Sequence, residues 1–261
     1  MHKLALVVTL WATSAFSQSW NSNAGGWNTG YGTVYGSFGM AMATQNIYDS
    51  MRLNMQRSTM RAAMIKKHGL AAVEKAEREA KAGKSVPPGM QVTAPVPQSK
   101  HTGAFKPAKS TPYARQLGDA LGSTAEEKRA ISQIAVATRQ AFEAQPETQT
   151  WKNDVAGALT FFLLGNLTIA ADAEEPTEEA SQALFNAIGL AIDATPEFAR
   201  ASQKDKQQLY EVLIGFTGVP LAIYTDAKER GDARQLQQAR ELSAQLLKLV
   251  FKQDAAQLQF K

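Results

Sequence analysis

Apolar residues recur at helical spacing through the second half of the chain, and the polar residues between them mark where each helix begins and stops. Thr111-Pro112 places a capping residue before a first-turn proline and predicts a short helix to about Leu121. Ser123-x-x-Glu126 predicts a capping box, after which Ile131, Ile134, Ala135, Thr138 and Phe142 share one face. Trp151 to Ala171 carries no charge between Asp154 and Asp172, which predicts a helix buried on all sides rather than a short membrane span. Its Asn166 then needs a hydrogen-bond partner inside the core.

Leu184, Ile188 and Ile192 form the next stripe, ending before Thr195-Pro196. A further helix starting near Ser202 turns Leu209, Leu213, Phe216 and Tyr224 inward, with a kink predicted at Pro220 beside Gly215 and Gly218. Gly231 stops it and Asp232 caps the last helix, whose stripe is Leu236, Ala239, Leu242, Leu246 and Leu249. No comparable alternation with period two occurs. The fold class is therefore all-α, with a helical bundle of about six helices over residues 111–261.

Upstream, the pattern changes three times. Residues 41–83 are rich in Ala, Met, Arg, Lys and Glu and predict a Met-rich basic helix, or two helices broken at Gly69. Residues 84–110 form a Pro-rich basic linker: six of the ten prolines fall between Lys84 and Tyr113, and no acid occurs from Lys84 to Gly118. Residues 18–40 form a Gly/Asn/aromatic segment with Trp20, Trp27, Tyr31, Tyr35 and Phe38, read as flexible in isolation, its aromatics docking on the protein's own body. Residues 1–17 pair a basic start with an apolar run from Leu4 to Ala12 and the small residues Ala15 and Ser17, the shape of a signal peptide cut before Gln18.

Charge separates the two halves. Residues 18–118 hold 13 Lys and Arg against 4 Asp and Glu, while residues 119–261 hold 14 against 20, so the formal +4 of the chain is a basic arm joined to an acidic body. Such an arm suits an anionic surface. With no Cys in 261 residues, thiol catalysis and thiolate metal sites are excluded, and the fold rests on its apolar core. Only His68 and His101 follow the leader, too few for the multi-histidine sites of most zinc enzymes or for an ordinary Ser/His/Asp centre.

Four methionines of the Met-rich helix stand in i, i+4 pairs, Met51 with Met55 and Met60 with Met64, and His68 extends the second pair. Two thioethers and an imidazole suit a soft ion such as Cu(I). At about 100° per residue the two pairs lie on different sides of the helix and do not form one site, and packing is the plainer role. Glu174, Glu175, Glu178 and Glu179 around Pro176 are acids at a helix start, complementing the dipole. Gly83-Lys84-Ser85 and Gly30-x-Gly32 lack the strand and the further glycine that a phosphate loop needs.

Asn153-Asp154-Val155-Ala156 with Phe161-Phe162, Thr195-Pro196-Glu197-Phe198-Ala199, and Ser202 with Lys206-Gln207-x-Leu209-Tyr210-Glu211, together with Ala227-Lys228-x-x-Gly231, give the body a familiar pattern. Over residues 112–251 it resembles a family of exported bacterial α-helical proteins of unknown function. That resemblance implies a bacterial source and a periplasmic or extracellular location.

These readings lead to an exported, non-enzymatic helical protein serving as a structural or interaction module of the bacterial envelope. Its partner is another envelope protein, the membrane surface or a second copy of the chain, and nucleic acid is not expected. No catalytic, cofactor-binding or metal residue is assigned, and no cofactor is expected. The alternative is a small-ligand or soft-metal carrier, with a cavity opened by Gly215, Gly218 and Pro220 and lined by Phe162, Phe216 and Tyr224. The remote alternative is an enzyme using carboxylates or a tyrosine.

Overall fold

A computed structural model describes residues 47–87, 90, 97–108, 113–172, 176–252, 255 and 258. The leader, the Gly/aromatic segment, the Thr111-Pro112 cap and the acids Glu174 and Glu175 lie outside the described residues.

Gly69 is the first break that the sequence dictates. Its φ of 83° is a conformation that side chains resist, and it divides the Met-rich region into α1 (Ile47–His68) and α2 (Leu70–Lys81). The body follows as α3 (Tyr113–Leu121), α4 (Ala125–Ala144), α5 (Val155–Ala171), α6 (Glu178–Asp193), α7 (Pro196–Arg200), α8 (Gln203–Arg230) and α9 (Ala233–Phe251). A 3-10 turn, Pro146–Thr148, links α4 to α5. Among the described residues there are nine α-helices and no strand, so the fold is all-α, a helical bundle.

The predicted starts of α4, α8 and α9 hold to within a residue, whereas the helix expected from Trp151 begins at Val155, after a turn that carries its cap Asp154. The capping box of α4 is built on Thr124 and Glu127, not on Ser123 and Glu126. The reason is reach: the Glu127 carboxylate accepts from the Thr124 and Ser123 amides, 3.1 and 2.7 Å away, while Thr124 Oγ1 accepts from Glu127 N. Ser202 with Asp205 makes a second capping box, and Asp154, Thr177 and Asp232 cap α5, α6 and α9. Glu178 and Glu179 stand in the first turn of α6, where the dipole favours them.

Helix α5 occupies the centre. It packs against α6, α8 and α9, and its buried residues run around the whole circumference from Val155 to Ile169. No helix among the described residues is long and apolar enough to cross a membrane. Asn166 meets its need in part: Nδ2 donates to the Phe162 carbonyl at 2.9 Å, and Oδ1 is left unpaired.

Helix α8 runs unbroken through Pro220 for 28 residues. Gly215 and Gly218 do not loosen it. A Cβ on Gly218 would collide with the Thr138 side chain of α4, and one on Gly215 would meet Leu117 of α3 at 2.5 Å. The two glycines are the price of close helix approach. Phe162 and Phe216 are completely buried and Tyr224 nearly so, all three in the same packed cluster. The buried face of α9 is wider than its predicted stripe: Ser243, Leu247, Val250 and Phe251 are buried too, while Leu249 is only half-buried.

The basic half joins this core. Ile47, Tyr48 and Met51 of α1 belong to the same hydrophobic cluster as the body, and α1 lies along α6. Helix α2 folds back on α1, fastened by Arg61, whose Nε and Nη2 donate to Glu77 at 2.7 and 3.2 Å.

Candidate functional site

Among the described residues, polar side chains of the body converge on residues 97–108, in the second half of the Pro-rich linker. Proline and missing acids suggest a solvated tether, but the segment is a strap whose backbone is held by side chains of the body. Asn186 of α6 accepts from Ser99 N at 2.9 Å and donates to the Pro97 carbonyl at 3.0 Å. Asp193, at the end of α6, accepts from Ser99 Oγ, Lys100 N and Thr102 N at 2.9, 2.6 and 3.0 Å.

On α8, Lys206 Nζ donates to the Thr102 carbonyl at 2.7 Å, while the side-chain oxygens of Gln203 and Gln207 accept from Lys106 N and Ala108 N at 2.7 and 2.8 Å. An extended segment outside a sheet must find such partners when it is packed down. Phe105 plugs the strap into the core, edge-on to Tyr210 at 5.1 Å.

Electrostatics follow from this wrapping. Burial works to raise the pKa of Asp193, but the hydrogen bonds from Thr102, Lys100 and Ser99 outweigh it and hold the carboxyl below its ordinary value. Behind the strap, Gln207 Nε2 donates to Glu211 Oε1 at 3.0 Å, and Arg139 pairs with that carboxylate at 2.6 Å. Tyr210 donates to Glu143 at 3.2 Å. Burial first, then the Glu143 charge, pushes its phenol far above the ordinary tyrosine range.

The strap also places a histidine on a carboxylate. His101 has a φ of 56° and heads a turn in which Ala104 N donates back to the His101 carbonyl. That turn sets Nδ1 of His101 2.9 Å from Oδ2 of Asp154, whose other oxygen caps α5 through Ala156 N at 2.9 Å. Gly103 fits here because a Cβ would stand 2.7 Å from Asp154 Oδ1. Asp154 is buried, the His101 side chain is half exposed, and Phe185 flanks its ring at 5.6 Å. A buried carboxylate orienting an imidazole is half of a general-base device. Ser99 Oγ accepts from His101 N at 3.0 Å and donates to Asp193, and the His101–Asp154 pair helps to lock the strap turn onto α5.

The family match decides the chain's affiliation. A family of unknown function, DUF6683, matches residues 2–261. The chain belongs to the DUF6683 family. The match is broader than the resemblance over residues 112–251: it takes in the hairpin and the strap as well as the bundle. No curated protein and no solved structure matches the chain.

Other residues singled out in this DUF6683 chain fall into place separately. Met51 is fully buried and Met55 packs against the core. Met60, Met64 and His68 lie on a different side of α1, as their spacing predicts, with Met60 exposed and the other two half-buried. Gly83, Lys84 and Ser85 form an exposed turn after α2. At the far end of the bundle Asp172 gathers Tyr224, Lys228 and Arg240, with Lys228 3.5 Å and Arg240 2.7 Å from its oxygens. The Tyr224 hydrogen bond, with Arg240 and Lys228, holds that carboxyl below its ordinary value. Burial and the same bond raise the Tyr224 phenol, a poor setting for a tyrosine base. Among the described residues no three His, Cys, Asp or Glu gather as a metal site.

An open groove of about 800 Å³ separates α1 from α6, with Ser58, Arg61 and Ile65 on one bank, Glu178, Glu179 and Gln182 on the other and Gln98 of the strap at its end. Sequence reasoning did not find the strap anchors. Each joins residues about 90–100 positions apart, a separation at which one sequence shows no periodic signal.

Proposed function

We propose that this is an exported, non-enzymatic helical protein that works as an interaction module of the bacterial envelope, in the periplasm or outside the cell, and that α1 is its contact helix. The observation that carries the reading is the division of α1 into two sides. One side, with Ile47 and Met51, is buried on α6. The other presents Arg52, Arg57, Lys66 and Lys67, all exposed, with Leu53 half exposed among them. These four cations make no ion pair among the described residues. Over α1 and α2 together, eight Lys and Arg stand against four Asp and Glu.

A helix that meets a bilayer buries its apolar side in lipid. Here that side is used inside the protein, and a cationic face whose exposed apolar side chains are Leu53 and Met60 suits an acidic protein surface. The leader-like residues 1–17 support export.

The test is a photo-crosslinking amino acid at position 53 in the full chain, expressed in its own envelope. A discrete crosslinked protein that disappears in the quadruple variant Arg52→Glu, Arg57→Glu, Lys66→Glu, Lys67→Glu is the expected result. Crosslinks to lipid alone, with flotation on anionic vesicles, would replace the protein partner by the membrane. No crosslink above that at an exposed site on α4, such as Glu126, would sink the reading.

A further inference from the structure

We propose that α1 pairs with α1 of a second copy of this chain, the two helices antiparallel about a twofold axis level with Ser58. The proposal rests on α1 being the contact helix and names its partner.

Six residues on the outer side of α1, Asp49, Leu53, Gln56, Met60, Ala63 and Lys67, follow one another at alternating steps of four and three, and all six are exposed. At about 100° per residue they fall in one stripe about 80° wide, on the side away from Ile47 and Met51. Alternating steps of three and four are those of a seam between two helices. Among the described residues α1 packs chiefly on α6 and α2, and the stripe is left open. Of the four exposed large apolar side chains among the described residues, Leu53 and Met60 lie on this stripe and Leu70 begins α2.

Reversed about Ser58, the stripe matches itself. Asp49 comes opposite Lys67, Leu53 opposite Ala63 and Gln56 opposite Met60, the members of each pair standing nine, five and two positions from Ser58. Leu against Ala sets a large side chain over a small one, as facing layers need in order to interdigitate. The flexible Met60 chain can lie along the stem of Gln56.

Charge selects the direction. Asp49 is in the first turn of α1 and Lys67 in the last, with no charged residue on the stripe between them. Neither makes an ion pair among the described residues. Parallel helices would set Asp49 on Asp49 and Lys67 on Lys67, whereas antiparallel helices join opposite charges at both ends of a seam about 27 Å long. The helix dipoles then also oppose each other favourably. Arg52, Arg57 and Lys66 flank the stripe, where long stems carry their charges into water.

The chain has no Cys, so introduced thiols report the register without background. Leu53→Cys and Ala63→Cys are made as separate full-length chains, mixed, and treated with a short bis-maleimide. The expected result is a covalent dimer in the mixture and little in either variant alone, since two copies of one of these positions stand about 15 Å apart along the seam. Sedimentation of the parent should show a monomer–dimer equilibrium. Asp49→Lys or Lys67→Asp alone sets like charges at both ends and should weaken the dimer about tenfold. A mixture of these two variants should regain the parent's affinity, because each end then joins opposite charges. Should a charge variant lose helix content, the thiol pair, which alters no charge, decides.

A parent that sediments as a monomer at every concentration, a charge mixture no tighter than its parts, or Leu53→Cys joined to itself as readily as to Ala63→Cys overturns the proposal. If the photo-crosslink from position 53 then captures a different protein, the contact helix stands and only the second copy is lost. If it captures nothing, the contact helix falls as well.

Discussion

The α1–α2 hairpin and the strap 97–108 both come from the basic half of the chain, yet they are attached to the bundle by opposite means. The hairpin uses side chains: Ile47 and Met51 enter the core, and the helix supplies its own backbone hydrogen bonds. The strap is held mainly by its backbone, with side chains of the body as partners, Asn186, Asp193, Gln203, Lys206 and Gln207, while its Phe105 and His101 side chains reach the body's core and Asp154. The difference teaches where each region tolerates change. Hairpin attachment depends on the shape of hairpin residues, whereas the hydrogen bonds that hold the strap backbone depend on residues outside the strap.

The largest effect should come from the hairpin. Met51→Ala removes a fully buried side chain and should cost about 2–5 kcal/mol, measured by chemical denaturation. Amide exchange should rise through α1 while the strap amides of Lys100 and Thr102 stay protected. Equal loss of protection in both regions would show that they are one cooperative unit.

Next, Asp193→Ala leaves two strap amides and one hydroxyl without their acceptor and should cost about 2–3 kcal/mol. Here the exchange pattern should reverse, with Lys100 and Thr102 exposed and α1 unchanged. Acid gives the same release without mutation. The folded-state pKa of Asp193 is depressed below the 3.8 of an unperturbed carboxyl, so its contribution is fully present above about that pH. It drains away as pH falls through the lower folded-state value. Amides of the strap should therefore lose protection below about pH 4, and this acid-dependent step should vanish in the Asp193→Ala variant.

Within the strap itself, Ser99→Ala removes one hydroxyl donor and should cost only about 1 kcal/mol. A much larger loss would mean that the strap's own side chains matter as much as those of the hairpin. The smallest effect belongs to the outer face of α1. Arg57→Glu should change stability by less than about 0.5 kcal/mol while weakening crosslinking from position 53. A large stability change there would show that this face is already engaged within the protein.

The sequence carried the helices because their signals are local. Caps such as Ser202, stops such as Gly231 and stripes such as Leu184, Ile188 and Ile192 lie within a few residues of what they control. The α4 cap slipped by one residue because Ser123 and Thr124 offer the same hydroxyl, and only the position of Glu127 chooses between them. Gly215 and Gly218 suggested looseness because a glycine looks the same in a gap and in a tight contact. Leu117 and Thr138, brought over from other helices, make the contact tight.

The sequence by itself therefore determined the all-α class, the central uncharged helix and Gly69 as the place where the Met-rich region could divide. Helical period, backbone permissiveness and charge are properties of neighbouring residues. Tertiary structure alone decided that α1 rests on α6, that residues 97–108 are a strap, that His101 meets Asp154, and that His68 keeps a shielded, unpaired nitrogen. Those facts depend on which distant groups the folded core brings within about 3 Å of one another, and that juxtaposition exists only after the helices have packed.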